Sequence, residues 1–283
     1  MGNKIDGTAI AQGIKEEIRE EIEQLINEGK RQPHLVVIMV GDDPRSAAYV
    51  RNKEKSCQNV NIDFTLNHLS ADVGEEELLK IIKGYNEDDT VDGIVVQLPL
   101  PAGYNESVIT EAVAADKDVD GLTEASIIKL YNNKASLVPA TPLGIMKILE
   151  KLNIDVDGKQ VVIVGRGKLV GHPLSLMMLN SNATVTVCHS HTRNLTEITQ
   201  TADILVVGIG KMNYITRDFV REGAVVIDAG INVDENGRLH GDCDYENMLD
   251  KVSWITPVPR GVGPMTVAML LVNTMTAYRG HEG

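Results

Sequence analysis

The sequence predicts an α/β protein in two domains, and three observations carry that prediction. Short runs of Val, Ile and Leu recur along the chain without alternating with polar residues, the pattern of parallel strands covered on both faces. Between them lie stretches whose apolar residues fall three and four apart, the pattern of amphipathic helices. The chain has 283 residues, enough for two cores of about 150 residues each.

Taken in order, residues 9–28 carry Ile10, Ile14, Ile18, Ile22, Leu25 and Ile26 as one stripe, a helix that Gly29 ends. Its acidic face around Glu16 to Glu23 reads as solvated surface. Residues 35–40 form a buried strand stopped by Gly41, Asp42, Asp43 and Pro44. Helical stretches at 46–57 and 75–83 flank an extended piece at 64–69, and 93–98 is the next buried strand. Thr141 followed by Pro142 predicts a helix start, with Thr as N-cap and Pro at the first helical position. Further strands are expected at 161–164, 184–188, 204–208, 225–228 and 254–256. A last helix, 266–278, is apolar over much of its surface and is expected to pack back between the domains. Trp254, Met177 and Met178 read as core.

Lys and Arg number 27 against 40 Asp and Glu, a formal net charge of −13. A surface this acidic excludes a general binder of nucleic acid or anionic membrane. No apolar run approaches the length of a membrane span, and the first residues lack the apolar core of a signal peptide. The cysteines, Cys57, Cys188 and Cys243, are widely spaced and read as reduced, buried thiols. The histidines show no metal-ligand spacing. A cytoplasmic protein is expected.

The strand at 161–164 runs into Gly165-Arg166-Gly167-Lys168-Leu169-Val170-Gly171 and then into a helix pattern. Glycines there let the backbone approach a diphosphate while the helix N-terminus offers amides. A tight turn without ligand would look the same. The next strand ends Cys188-His189-Ser190-His191-Thr192-Arg193, with no acid to hold a ribose diol. Arg166, Ser190 and Arg193 instead favour a 2′-phosphate, hence NADP over NAD; the alternative is a solvated loop with basic residues by chance.

Strand ends of the first domain also carry polar groups. Tyr49 and Lys53 are four apart on a helix and share a face. A lysine there is either an ordinary surface residue or, screened from bulk water beside a phenol, a proton carrier. Gln97 closes an apolar run and needs a hydrogen-bond partner if buried. Residues 116–121, Asp-Lys-Asp-Val-Asp-Gly, read as a turn or a solvated charge run.

These residues lie within longer motifs. Ser46-x-x-Tyr49-x-x-x-Lys53, Val96-Gln97-Leu98-Pro99-Leu100-Pro101, Lys117-Asp118-Val119-Asp120-Gly121-Leu122, Pro139-Ala140-Thr141-Pro142, the Gly165–Pro173 turn and Pro257-Val258-Pro259-Arg260-Gly261-Val262-Gly263-Pro264-Met265-Thr266 follow in order. In this the chain resembles the bacterial bifunctional methylenetetrahydrofolate dehydrogenase/methenyltetrahydrofolate cyclohydrolase family, over essentially its whole length. The resemblance implies a folate-binding catalytic domain over 1–120 with the last helix, about 266–283, a Rossmann-like NADP domain with a parallel sheet over 140–265, and a cleft between them. It implies oxidation of 5,10-methylenetetrahydrofolate with NADP and hydrolysis of the methenyl product to 10-formyltetrahydrofolate. Substrates would be tetrahydrofolate derivatives with or without polyglutamate tails, and the assembly a homodimer.

Carried over by position, Lys53 handles protons, Gln97 tunes it, Tyr49 orients the folate and Asp120 holds the pterin edge. Leu98, Gly261, Val262, Gly263 and Pro264 border the substrate, while Gly165, Arg166, Gly167, Ser190 and Ile231 contact NADP. Four positions depart from the family pattern. Ala140 replaces a common Cys, Gly167 a frequent Ser, His191 a Lys or Arg, and Arg260 a common Gly, where it would salt-bridge locally or alter the seat of the folate tail. The competing readings are a shikimate- or amino-acid-dehydrogenase relative, an NADP-binding regulatory module with a dead cleft, and an enzyme retaining one activity. The Gln97–Pro101 strand end and the 257–266 turn set the chain apart from the first. Tyr49, Lys53, Gln97 and Asp120 kept together argue against the second.

Overall fold

The computed structural model describes residues 2–282, so the expected domain ends at Met1 and Gly283 lie outside the described residues. In chain order the elements are β1 (Asn3–Lys4), α1 (Gly7–Asn27), β2 (His34–Val40), α2 (Pro44–Asn59), β3 (Asp63–Leu69), α3 (Glu75–Asn86), β4 (Gly93–Val96), α4 (Glu106–Glu111), α5 (Glu124–Tyr131) and α6 (Ala140–Lys151). There follow β5 (Gln160–Val164), α7 (Gly171–Asn180), β6 (Thr184–Cys188), α8 (Leu195–Thr199), β7 (Ile204–Val207), β8 (Val225–Asp228), β9 (Asn232–Val233), β10 (Leu239–His240), α9 (Tyr245–Met248), β11 (Trp254–Ile255) and α10 (Val262–Glu282). The chain divides into two compact units, one of Gln12–Ala140 with the residues from Val267 onward, the other of the residues up to Ala11 with Thr141–Thr266.

The first unit is built on a three-stranded parallel sheet in the order β3-β2-β4. Every residue of β4 and all but the first of β2 are buried, which is why their apolar runs do not alternate. Leu78 and Ile82 of α3 and Ile109 of α4 pack with Val36, Ile38, Ile94 and Val96 in one core. On α1, Ile14, Ile18 and Ile22 are buried, whereas Arg19 on its polar side pairs with Glu16 and Glu23.

A charged clasp ties three segments of this unit together. The buried carboxylate of Asp92 receives the Arg31 guanidinium in a bidentate pair at 2.6 and 2.8 Å, the His34 amide at 2.9 Å and His281 Nδ1 of α10 at 3.0 Å. Arg31 also stacks over the Tyr278 ring, 4.9 Å from its centroid. Burial opposes the Asp92 charge, but the hydrogen bonds from Arg31, His281 and His34 outweigh it and hold the carboxyl below its ordinary value.

The second unit holds a six-stranded parallel sheet in the order β1-β11-β8-β7-β5-β6, and an antiparallel β9–β10 hairpin. Val162, Val164, Leu205, Val207, Val226 and Ile255 form its core with Met248 and Val252. Two local features differ from the sequence reading. The chain's first strand joins this sheet, Asn3 opposite Trp254, because a two-residue edge strand carries too little pattern to be read. The helix expected to be capped by Thr141 starts at Ala140, and the Thr141 hydroxyl instead bonds that of Thr266 at 2.9 Å. Met178 is fully buried, while Met177 and Trp254 are only partly so. The three cysteines are free and buried. Among the described residues no helix is long and apolar enough to cross a membrane.

Replacing Asp92 by Asn leaves Arg31 and His281 facing a neutral group, and is expected to cost roughly 3 kcal/mol at pH 7. Because the folded carboxyl titrates below its unfolded value, the contribution is present at neutral pH and fades as pH falls below about 4. Urea denaturation of both proteins at pH 7 and pH 3 should show the gap closing in acid.

Candidate catalytic and dinucleotide sites

In the order β3-β2-β4 the chain leaves β2 toward one side and returns on the other, so the switch point of the first sheet lies between the carboxyl ends of β2 and β4. Ligands of open parallel sheets gather at such points. Asp43 accepts from the amides of Arg45 and Ser46 and starts α2 directly after β2. Along α2, Ser46 is 4% exposed with its hydroxyl unpartnered among the described residues, Tyr49 is 52% exposed, and Lys53 follows one turn later. Gln97 lies just past β4 rather than inside it, its amide still bonded to Ile38 O at 2.8 Å. Lys53 Nζ donates to Gln97 Oε1 at 3.1 Å, and Gln97 Nε2 donates to Leu98 O at 2.7 Å. The Leu98 carbonyl thereby fixes which way the amide faces, leaving the oxygen for lysine.

Residues 116–121 are not a solvated charge run. Lys117 is buried and donates to the carbonyls of Tyr85 and Asp88 at the end of α3. Asp118 is buried too and accepts from the amides of Leu122 and Thr123 and the Ser126 hydroxyl, organising the start of α5. Asp120 alone is left without such work. Burial pushes its carboxyl up, the Lys53 charge pulls it back, and Asp118 pushes it up further. It lines a small recess with Val96, Leu98, Thr110, Asp118 and Leu122.

In the second sheet the switch point lies between β5 and β7, and the glycine turn follows β5. Gly165, at φ 122°, lies so close to the turn after β7 that a methyl group on it would collide with the Gly208 carbonyl; one on Gly171 would collide with Gly165 O. Helix α7 has no side-chain cap. Arg166 and Gly167 are exposed, as are Ser190, His191, Arg193 and Ile231. Gly261 and Val262 are buried at the start of α10, Gly263 is exposed and Pro264 half-buried. Arg260, exposed, sits at φ 82° with no ion pair among the described residues.

Two family models cover nearly all of this chain. The tetrahydrofolate dehydrogenase/cyclohydrolase catalytic domain matches residues 5–120, and the tetrahydrofolate dehydrogenase/cyclohydrolase NAD(P)-binding domain matches 139–282. The chain belongs to the tetrahydrofolate dehydrogenase/cyclohydrolase family. The bifunctional protein FolD of Agathobacter rectalis is 47% identical over 99% of this chain and all of its own. The bifunctional methylenetetrahydrofolate dehydrogenase/cyclohydrolase of Campylobacter jejuni superposes with a TM-score of 0.96 at 43% identity, over 99% of this chain and 100% of that one. The dehydrogenase-cyclohydrolase of Trypanosoma brucei, solved with NADP and an inhibitor, does so with a TM-score of 0.93 at 33% identity, over 99% and 98%. With both domains present, this chain is a bifunctional methylenetetrahydrofolate dehydrogenase and methenyltetrahydrofolate cyclohydrolase.

This family member also contains two arrangements that the sequence reading missed. Asn273 of α10, buried, donates to Val119 O at 2.7 Å and Val138 O at 2.8 Å, gripping the chain beside Asp120. At the carboxyl ends of β7 and β8, Asp228 and Asp242 are buried together without an ion-paired cation among the described residues. Asp228 accepts from the amides of Gly230, Asp242 and Cys243. Burial pushes its carboxyl up to about 6; those amides hold it down, and the Asp242 charge adds to the rise. The signal for the pair was present as Asp228-Ala229-Gly230 and Gly241-Asp242-Cys243, acids set beside glycines at the end of a buried strand.

Since folded Asp228 holds its proton more tightly than the unfolded chain, its contribution falls as pH rises from about 4 to about 6, by roughly 3 kcal/mol in all. Asp228→Asn removes that slope. Denaturation followed through Trp254, the sole tryptophan and part of β11, should show the variant gaining on the wild type between pH 4 and pH 7. Parallel pH profiles would mean the carboxyl titrates ordinarily.

Proposed function

We propose that the first unit binds tetrahydrofolate derivatives at its β2/β4 switch point and that Lys53 moves the protons of the hydrolytic step. The observation that carries this reading is the Lys53–Gln97 hydrogen bond beside Asp120. Asp120 pairs with the adjacent N–H donors of the pterin edge, a bidentate match that compensates a carboxylate set in an apolar recess. Tyr49, exposed on the same helix face as Lys53, packs on the ring system, and Leu98 borders it.

In the hydrolysis, water adds to the bridging carbon of 5,10-methenyltetrahydrofolate. Lys53 Nζ, entering the step as the free amine, takes one proton of that water and returns it to N5 as the N5–carbon bond breaks, while the remaining hydroxyl proton leaves to solvent as the formyl C=O forms, giving 10-formyltetrahydrofolate. Gln97 holds Nζ in place for both transfers.

NADP is the nicotinamide cofactor, and the structure fits it. Gly167, with open space around it, and the Gly171 amide at the uncapped start of α7 suit a diphosphate, and Arg166, Ser190 and Arg193 supply donors for the 2′-phosphate. Its chemistry is to accept hydride from the methylene bridge, a step that asks the protein mainly for orientation. The remaining expectations go with this reading: a cytoplasmic homodimer, taking folates with or without polyglutamate tails. Val233 and Leu239 along the β9–β10 hairpin are exposed apolar surface for a second copy.

Lys53→Met is expected to abolish hydrolysis of supplied methenyltetrahydrofolate while much of the NADP reduction survives. Equal loss of both in a folded variant would refute this division of labour. With NAD in place of NADP, reduction of the cofactor should slow about tenfold or more at equal concentration, the loss of one charge-assisted contact. Equal rates would show that residues 190–193 read no phosphate.

A further inference from the structure

Within the second unit, Asp242 uses all of its acceptor capacity on backbone and one amide side chain. It accepts from three successive amides, Ile209 at 2.6 Å, Gly210 at 3.0 Å and Lys211 at 2.7 Å, and from Asn232 Nδ2 at 2.9 Å. Successive amides converging on one point form an anion nest, and here the anion is the chain's own carboxylate. An ionised carboxylate offers about four acceptor sites, and all four have a donor. The Lys211 ammonium lies 5.0 Å over the Tyr214 ring and makes no ion pair with Asp242.

What these bonds hold lies next to the dinucleotide site. The residue before the nest is Gly208, whose carbonyl is packed against Gly165 of the diphosphate turn. The residue before Asn232 is Ile231, expected to contact the cofactor. Asn232 is tied to Gly241 O as well, at 3.2 Å. Asp228 anchors the arrangement from below through the amides of Gly230 and of Asp242 itself. The packing leaves no slack: a methyl group on Gly230 would collide with the Asp242 carboxylate, and one on Gly241 with that of Asp228.

We propose that Asp242 is a positioning residue for the dinucleotide, setting the turn after β7 and the turn after β8 in the register that receives NADP. The inference rests on the dehydrogenase reading above. A buried carboxylate without a cation is a costly way to fill a core, but it is well suited to fixing two turns against each other. Asp242 touches no substrate and acts only through Ile209–Lys211 and Asn232.

The test compares wild type with Asp242→Asn, whose amide N–H₂ group meets donors where the carboxylate met them with oxygen. Three assays are run: isothermal titration for the NADP Kd, the dehydrogenase reaction for KM and kcat with NADP, and hydrolysis of supplied methenyltetrahydrofolate. The expected result is that Kd and KM for NADP rise about tenfold or more, with kcat at saturating NADP and the cyclohydrolase rate close to wild type. A purely structural role would lower kcat in both reactions, or leave Kd unchanged, and either outcome overturns the proposal. Should Asp242→Asn fail to fold, Asn232→Ala decides: it removes the side-chain donor on Asp242, and an unchanged Kd for NADP refutes the idea. Wild type that binds no NADP would overturn the dehydrogenase reading and this inference together. Wild type that binds and turns over, with Asp242→Asn its equal, overturns this inference alone.

Discussion

A parallel sheet covered on both faces has no room for chemistry except at the ends of its strands. That constraint organises this molecule. β2, β4, β5, β7 and β8 are buried almost throughout, so each can place a polar group only where the backbone leaves the sheet. Gln97 stands one residue past β4, the glycine turn one residue past β5, and Asp228 closes β8. In both sheets the connections reverse direction between two neighbouring strands, β2 and β4 in one and β5 and β7 in the other, and such crevices are where side chains and amides gather. The same topological device underlies the folate site proposed for one unit and the dinucleotide site of the other.

The two sites solve the problem of buried polarity differently. In the first unit Lys53 is answered by the Gln97 side chain, while Lys117 bonds carbonyls at the end of α3 and Asp118 takes two amides and the Ser126 hydroxyl at the start of α5. Asp120 is left over, without a hydrogen-bond donor among the described residues, and it is the carboxylate proposed above to meet the pterin's donors. In the second unit the answer is mostly backbone. Asp228 and Asp242 between them take six amides from the turns after β7 and β8 and the segment ending at Cys243, so the carboxylates shape loops instead of facing a ligand. Dinucleotide recognition depends on backbone amides and close approach, and loops stapled from beneath suit that need.

The fold was legible because periodicity is a local signal. The stripe on α1 and the unbroken apolar runs of β2, β5 and β7 survive translation into structure with their ends shifted by a residue or two. The long motifs made the family legible. What could not be read were pairings between distant segments. Asn3 beside Trp254, Arg31 and His281 meeting at Asp92, and Asn273 reaching back to Val119 each join positions that no local pattern relates. Residues 116–121 failed for another reason. Charge clustering looks the same whether the groups face water or bond buried carbonyls and amides, and only the fold around Lys117 and Asp118 decides.

The departures from the family pattern have unequal physical weight. At Gly167 a methyl group would meet nothing within 4 Å, so the site does not require glycine; what is lost relative to a Ser is one hydrogen-bond donor, not a shape. His191 is exposed next to His189, at a ring separation of 6.0 Å, so an imidazole stands where a longer basic side chain is common. Arg260 is the opposite case. Its φ of 82° lies where glycine is comfortable and a side chain costs on the order of 1 kcal/mol. No ion pair among the described residues offsets that cost, so the local salt bridge expected of it is not formed. The guanidinium stays exposed beside the Gly261–Pro264 turn, so the strained backbone there has no local charge pairing to set against it.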